Sequence, residues 1–123
     1  MGRVIHFEIL ADDLDRAIEF YRKVFGWKIH KGEEQYAVVT TGNTEPGING
    51  GIMPRMSVFE NKGEGFRAYV CTIDVENLDD VVAKIKEAGG QQVTDKKEIP
   101  HVGTHAYFKD TEGNVLGVIQ SGK

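Results

Sequence analysis

The sequence predicts an α+β fold built from two copies of a βαβββ unit. The first observation is an apolar stripe of helical period in "DLDRAIEFYRKVFG" (13–26), which returns 64 residues later in "NLDDVVAKIKEAGG" (77–90). The second is that each of these helices follows one strand-like run and precedes three more. One strand, one helix and three strands therefore occur twice in 123 residues.

The predicted strands divide a single domain, residues 1–123, into two repeats. In the first repeat, residues 1–54, they are 3–11, 27–31, 34–41 and 48–54. In the second repeat, residues 66–123, they are 66–74, 91–98, 103–109 and 114–121. The turn residues in 55–65 predict a connector. Because one helix covers one face of each small mixed sheet, we expect the open faces to enclose a cavity.

Both predicted helices carry a start signal and one apolar face. Asp13 and Asn77 are the matching candidates for the N-cap, and Gly26 matches Gly90 at the ends. The residues on the two apolar stripes are predicted to be buried against their own sheets, and these are Leu14, Ile18, Tyr21, Phe25, Leu78, Val82 and Ile85.

Composition excludes some partners. There are 19 acidic against 15 basic side chains, and no basic cluster that would bind nucleic acid. No leader is visible and no apolar run approaches the ~20 residues that cross a bilayer, so we expect a soluble protein without a membrane partner. The lone Cys71, in "AYVCTI", cannot form an internal disulfide, which favours a buried thiol and a cytoplasmic location.

Three stretches together resemble the vicinal oxygen chelate superfamily, which contains glyoxalases, bleomycin resistance proteins and extradiol dioxygenases. They are "HFEILADDLDRAIEFYRKVFGWKI", "GINGGIMPR" and "YFKDTEGNVLGVIQ", and the resemblance covers nearly the whole chain. It implies the glyoxalase/bleomycin resistance/dioxygenase-like fold, a small organic ligand and a homodimer. The superfamily combines metal-dependent isomerases, transferases and dioxygenases with metal-free binding proteins, so the fold does not choose a reaction.

The resemblance also locates the metal positions, which in metalloenzymes of this superfamily lie on the first and last strand of each repeat. His6 stands at one of them. The 64-residue offset carries His6 onto Val70, and the last-strand positions fall on Gly51 and Gly117. Three of the four positions therefore lack a donor, so we expect no tightly bound metal. A weakly bound divalent metal, with His6 as its ligand, stays open.

His6 and Glu8 are the main site candidates, because strand alternation in "VIHFEI" separates them from their apolar neighbours. Ile5, Phe7 and Ile9 are predicted to face the helix, which leaves His6 and Glu8 facing the cavity. The pair has three interpretations, namely a solvated polar pair, an acid/base or ligand-contacting pair, and part of a metal site.

Further ligand-binding candidates are Trp27, Tyr36, Gly51, His105 and Tyr107. The aromatic residues are more often core or sheet residues, but in the cavity they would favour a flat organic ligand. His101 and His105 have the spacing of a metal pair, yet Pro100 and Gly103 indicate a turn, so a loop or strand-start position is the simpler interpretation. His30 is predicted to face solvent.

The leading hypothesis is a small-molecule-binding protein of the glyoxalase and bleomycin resistance type, without a tightly bound metal. The alternative is a metal-dependent or acid/base lyase, isomerase or dioxygenase of the same superfamily, in which His6 and Glu8 are catalytic. A third hypothesis is an interaction module. The sequence leaves open the identity of the ligand and whether the repeats pair within one chain or between two.

Overall fold

The computed structural model describes residues 2–55 and 69–122. The chain divides into two compact units, one of residues 6–70 and one of residues 1–5 with 71–123. The N-terminal residues group with the second unit because the Gly2 N–H donates to the Asp74 carbonyl (2.8 Å) and the Asp74 N–H donates to the Arg3 carbonyl (3.0 Å). The predicted connector, apart from its first residue, lies outside the described residues.

The unit of residues 6–70 is built on the first predicted repeat. Its elements are β1 (Val4–Ala11), α1 (Leu14–Phe25), β2 (Lys28–Lys31), β3 (Ala37–Thr40) and β4 (Asn49–Pro54). They form a sheet in the order β2-β3-β4-β1, in which β1 is parallel to β4 and the other pairs are antiparallel. The βαβββ prediction is confirmed here, with strand ends shifted by at most a few residues.

The other unit has one strand more than predicted. Its elements are β5 (Tyr69–Val75), α2 (Leu78–Glu87), β6 (Gln91–Gln92), β7 (Lys97–Ile99), β8 (Gly103–Lys109) and β9 (Val115–Ser121). β9 lies parallel to β5 and antiparallel to β8, which also pairs with β6 and β7. The predicted strand 91–98 is interrupted because the Thr94 hydroxyl accepts the Tyr107 N–H (3.0 Å), a bond made by a side chain instead of the backbone ladder.

The predicted helix starts are confirmed. The side chains of Asp13 and Asn77 each accept the backbone N–H three residues on, at 3.0 Å, and so satisfy one of the donors that a helix start leaves unpaired. α1 ends at Phe25 and is followed by the C-cap residue Gly26, which has a left-handed φ of 72°. After α2 the left-handed residue is Gly89 (φ 101°), so Gly89 takes the place that the sequence comparison assigned to Gly90.

Each unit has its own apolar core on the helix side of its sheet. In the first unit it consists of Phe7, Ile9, Ala11, Leu14, Ile18, Ile29, Ala37, Val39 and Ile52. In the second it consists of Val75, Leu78, Ala106, Phe108 and Val118, with Val82 and Ile85 packed against it. The helix stripes are therefore confirmed at most positions. No helix within the two described segments is long and apolar enough to cross a membrane.

Three burial predictions are wrong. Phe25 is 59% exposed because it is the last residue of α1 and stacks on Trp27 (5.4 Å between ring centres) outside the core. Ile5 is 43% exposed and belongs to the N-terminal stretch that groups with the second unit, so it is not a core residue of the first unit. Cys71 is exposed because it alternates along β5 with buried Val70 and Thr72.

Candidate functional site

His6, Tyr36 and Glu8 form a hydrogen-bonded triad in the first unit. β1 presents His6 and Glu8 on one face, and Tyr36 lies directly before β3. The Tyr36 hydroxyl donates to Glu8 Oε2 at 3.0 Å and lies 3.0 Å from His6 Nε2. Because the hydroxyl has a single proton and gives it to the carboxylate, we infer that His6 Nε2 carries a proton and donates to Tyr36.

Burial differs across the triad and determines what each group can do. The Glu8 side chain is 10% exposed, whereas that of His6 is 33% exposed. Burial, followed by the charge of Glu8 and its hydrogen bond, raises the pKa of Tyr36 above its usual range. Tyr36 therefore stays a neutral phenol and donates to Glu8. The imidazole of His6 is the member of the triad that a ligand can reach.

Gly51 makes room for this triad. Gly51 on β4 pairs with Glu8 of β1 on one side and with Val38 of β3 on the other, and Tyr36 lies two residues before Val38. A Cβ added at Gly51 would collide with the hydroxyl and ring of Tyr36. The glycine is therefore needed because the phenol occupies the space of a side chain.

The second unit contains the same arrangement around Gly117. Gly117 on β9 pairs with Thr72 of β5 and with Tyr107 of β8, and His105 lies two residues before Tyr107. A Cβ added at Gly117 would lie 2.8 Å from His105 Nε2 and 2.9 Å from Thr72 Oγ1. The imidazole of His105 thus stands over this glycine as the phenol of Tyr36 stands over Gly51.

The two arrangements correspond residue by residue: Glu8 with Thr72, Tyr36 with His105, and Gly51 with Gly117. Sequence reasoning named five of these six residues but did not consider Thr72. The sequence does contain a signal for Thr72, because the 64-residue offset that pairs the helices carries Glu8 onto Thr72.

The remaining candidates lie in different surroundings. Trp27 stacks on Tyr21 (5.1 Å between ring centres, 5° between planes) and packs against the core of the first unit. The ring of Tyr107 meets that of His105 edge-on at 4.5 Å. His101 lies in a turn with a φ of 67°, and His30 is exposed, as predicted for both.

Comparison with known proteins relates this chain to bleomycin resistance proteins and glyoxylase-like proteins. Residues 3–42 match the family model "Bleomycin resistance protein-like N-terminal". A glyoxylase-like domain-containing protein from Didymella fabae is 28% identical over 95% of this chain and 92% of its own length. The glyoxylase-named protein CFP32 of Mycobacterium bovis is 31% identical over 97% of this chain, which spans only 44% of that relative.

A solved structure from Vibrio splendidus 12B01 has the same fold. It is a glyoxalase/bleomycin resistance protein/dioxygenase superfamily member, with a TM-score of 0.65 and 14% identity over 98% of this chain and 100% of that chain. The family match, the glyoxylase-named relatives and this structure support the resemblance to the vicinal oxygen chelate superfamily. The resemblance and the fold class expected from the sequence are both confirmed.

The donor set does not fit the metal centre of vicinal oxygen chelate metalloenzymes. His6 and Glu8 supply two donors, whereas Gly51 and Gly117 supply none. Within residues 2–55 and 69–122 no three His, Cys, Asp or Glu side chains lie close enough together to hold a metal ion. A catalytic zinc site takes about three protein ligands. The side chains present are suited to hydrogen bonding.

Proposed function

We propose that this vicinal oxygen chelate protein binds a small organic molecule and does so without a resident metal. The observation that carries the proposal is the pair of glycines at the two last-strand positions, each covered by an aromatic ring of its own unit. The Tyr36 phenol occupies the space over Gly51, and the His105 imidazole stands over Gly117. A carboxylate at either position would have to displace these rings.

His6 is the proposed ligand contact in the first unit. A neutral imidazole that donates through Nε2 to Tyr36 accepts through Nδ1. Glu8 and Tyr36 hold the ring in place, so little side-chain entropy is lost when a ligand binds. The arrangement suits a hydroxyl, phenol or amine donor attached to an apolar body.

The proposed absence of a resident metal is tested first, by elemental analysis and native mass spectrometry of the purified chain. We expect less than a stoichiometric amount of transition metal after dialysis. One bound zinc, nickel or iron per chain would contradict the proposal. The same spectrum reports any retained ligand and tests the homodimer. The homodimer and the cytoplasmic location are parts of the proposal that rest on resemblance and composition.

The ligand contact is tested with variants of the triad. A thermal-shift screen of phenols and small hydroxylated or aminated aromatic compounds supplies a ligand, which is then titrated into parent and His6→Ala protein. We expect binding to weaken about tenfold, because a hydrogen bond of the ligand is lost. His30→Ala, which removes an exposed histidine of β2, is the matched control and should bind as the parent does. Equal affinity of parent and His6→Ala would contradict the proposed role of His6.

An acid/base enzyme is the second candidate, and the triad itself favours it. If His6 takes a proton from a substrate, the Tyr36 hydroxyl and the Glu8 carboxylate behind it stabilise the imidazolium. The glyoxylase names of two relatives add support. The test is an assay with 2-oxoaldehyde adducts of thiols. Turnover by the parent that is abolished in His6→Ala supports the enzyme, and no turnover in the parent contradicts it.

A further inference from the structure

α1 carries an outer apolar stripe that its own sheet covers only in part. The outer stripe consists of Ala17, Phe20 and Val24, whose spacings of three and four residues place them along one line of the helix. Ala17 is partly buried, whereas Phe20 is 54% and Val24 is 55% exposed. Apolar side chains grouped on a surface in this way are typical of contact with another molecule.

Basic side chains lie along the solvent side of the outer stripe. Arg16 and Lys23 are seven residues apart, so they stand two turns apart on one flank of α1, about 10 Å along its axis. Arg16 lies 3.9 Å from the half-exposed Asp13, and Lys23 makes no ion pair with any residue that the structure describes. Glu19 lies further round the helix, away from the stripe. The flank therefore offers two positive charges to a partner.

The internal repeat places opposite charges at the same positions of α2. The 64-residue offset carries Arg16 onto Asp80 and Lys23 onto Glu87. Both acidic side chains are exposed, and within residues 2–55 and 69–122 neither forms an ion pair. The two helices thus present flanks of equal spacing and opposite charge.

We infer that two copies of this chain associate by packing α1 of one copy antiparallel against α2 of the other. In that direction Arg16 comes opposite Glu87 of the other copy. Lys23 comes opposite Asp80, because both charged pairs are separated by seven residues. In a dimer with twofold symmetry the contact occurs twice.

The outer stripe then meets the stem of a lysine. Phe20 comes beside Lys84, which is exposed and lies between the two acidic side chains of α2. The methylene stem of a lysine covers apolar surface while its ammonium group stays in water. Two α1 helices laid antiparallel would instead bring Arg16 of one copy beside Lys23 of the other, and this repulsion disfavours that alternative. The inference rests on the homodimer of the proposed function and adds its interface, independently of the ligand.

Charge reversal tests the contact, with the mass of the full chain in solution measured by sedimentation equilibrium. We expect the parent to be a dimer, and Arg16→Glu with Lys23→Glu to raise its dissociation constant about a hundredfold, since like charges then face each other. Asp80→Lys with Glu87→Lys should have the same effect. The variant with all four reversals exchanges the two signs, so it should associate as the parent does.

Controls separate the interface from general effects of charge. Lys28→Glu reverses an exposed charge on β2 and should leave the dimer unchanged. Phe20→Lys introduces the residue that α2 has at this position and should weaken association. Val102→Lys, at an apolar side chain that is 48% exposed outside both helices, should not. Circular dichroism checks that each variant is folded, and if a reversal variant is not, the comparison of Phe20→Lys with Val102→Lys decides.

Three results overturn the inference: a monomeric parent, a dimer that persists when the charges of either helix are reversed, and a folded fourfold variant that stays dissociated. A dimer that ignores the reversals would still agree with the proposed homodimer. Binding of a ligand through His6 in dissociated variants would leave the proposed ligand contact standing.

Discussion

At the scale of single residues, Tyr36 connects the partly exposed histidine to the buried carboxylate. Tyr36→Phe removes the hydroxyl that donates to Glu8 and lies against His6. We expect a loss of ~1–3 kcal/mol in the free energy of unfolding, since a buried carboxylate loses a donor. Urea denaturation measures it. Tyr69→Phe, at a half-exposed ring, is the control and should cost less. Equal costs would mean that the triad does not stabilise the fold.

Gly51 and Tyr36 should be energetically coupled. Gly51→Ala places a Cβ where the phenol lies, so we expect ~1–3 kcal/mol of destabilisation from overpacking. In a Tyr36→Ala background the methyl group has space, and the cost of Gly51→Ala should fall. A double-mutant cycle of unfolding free energies measures this coupling. Gly42→Ala, with nothing within 4 Å of the added Cβ, is the control. Additive costs for the first pair would contradict the close contact.

The placement and contacts of single residues were only partly predictable from sequence. The period of two along a strand places His6 and Glu8 on one face without knowledge of the fold. Their hydrogen bonds to Tyr36 depend on the pairing of β3 with β4 and of β4 with β1, over 28 to 30 residues of chain. No local pattern specifies that register, so the triad could not be derived from "VIHFEI" alone.

At the scale of elements, the apolar stripe of α1 is buried at Ile18 and exposed at the C-terminal end of the helix. Ile18 is 5% exposed within the core, whereas Phe25 is 59% exposed at the last residue of the helix. We expect Ile18→Ala to cost ~2–5 kcal/mol and Phe25→Ala less than about 1 kcal/mol. Chemical denaturation of both variants tests this difference. A larger cost for Phe25→Ala than for Ile18→Ala would contradict the packing of α1.

The turn between β8 and β9 should lose stability in acid. The Asp110 carboxylate accepts the backbone N–H groups of Asn114 (2.9 Å) and Glu112 (2.8 Å), and these bonds hold its pKa below the usual 3.8. A lowered pKa in the folded state gives stability that is complete above the unfolded value and is lost as pH falls through the folded one. Asp110→Ala should therefore destabilise the protein at neutral pH and much less in acid.

Urea denaturation of Asp110→Ala and of the parent, at neutral pH and in acid, measures the difference between their free energies of unfolding. Glu112→Ala, in the same exposed turn, is the control and should show a smaller dependence on pH. A constant difference between Asp110→Ala and the parent across the pH range would show that the carboxylate charge contributes nothing.

The elements themselves were well predicted, because helix caps and apolar period are local signals. The exception is the predicted strand 91–98, which divides into β6 and β7. Its interruption depends on a hydrogen bond between Thr94 and Tyr107, thirteen residues away. A side chain that replaces a backbone hydrogen-bond partner in this way produces no periodic pattern of apolar residues, so the sequence does not reveal it.

At the scale of the whole molecule, the internal repeat allows the site of one unit to be copied into the other. Thr72→Glu alone buries a carboxylate without the tyrosine donor that Glu8 has, and should cost several kcal/mol. Thr72→Glu with His105→Tyr places the Glu8 and Tyr36 pair of the first unit over Gly117. We expect the double variant to be more stable than Thr72→Glu, as measured by thermal denaturation. A double variant less stable than Thr72→Glu would contradict the correspondence between the units.

The whole-molecule pattern was the easiest part to predict, since a strand, helix and three strands that occur twice leave few α+β arrangements. The chemistry of the site was harder, because the repeat preserves the positions and changes the side chains. Glu8 and Thr72 are equivalent in register, yet one is an acceptor with its donor and the other a donor that lacks an acceptor.

The ring over Gly51 also constrains the order in which such a chain can change during evolution. A descendant that gained a metal-binding carboxylate at position 51 would first have to lose the Tyr36 ring, since the two side chains claim the same volume. Gly51→Glu is then harmful in the present background and tolerable only after Tyr36 has been replaced. That dependence is epistasis between positions 36 and 51, and it imposes an order on the substitutions that separate this chain from a metalloenzyme.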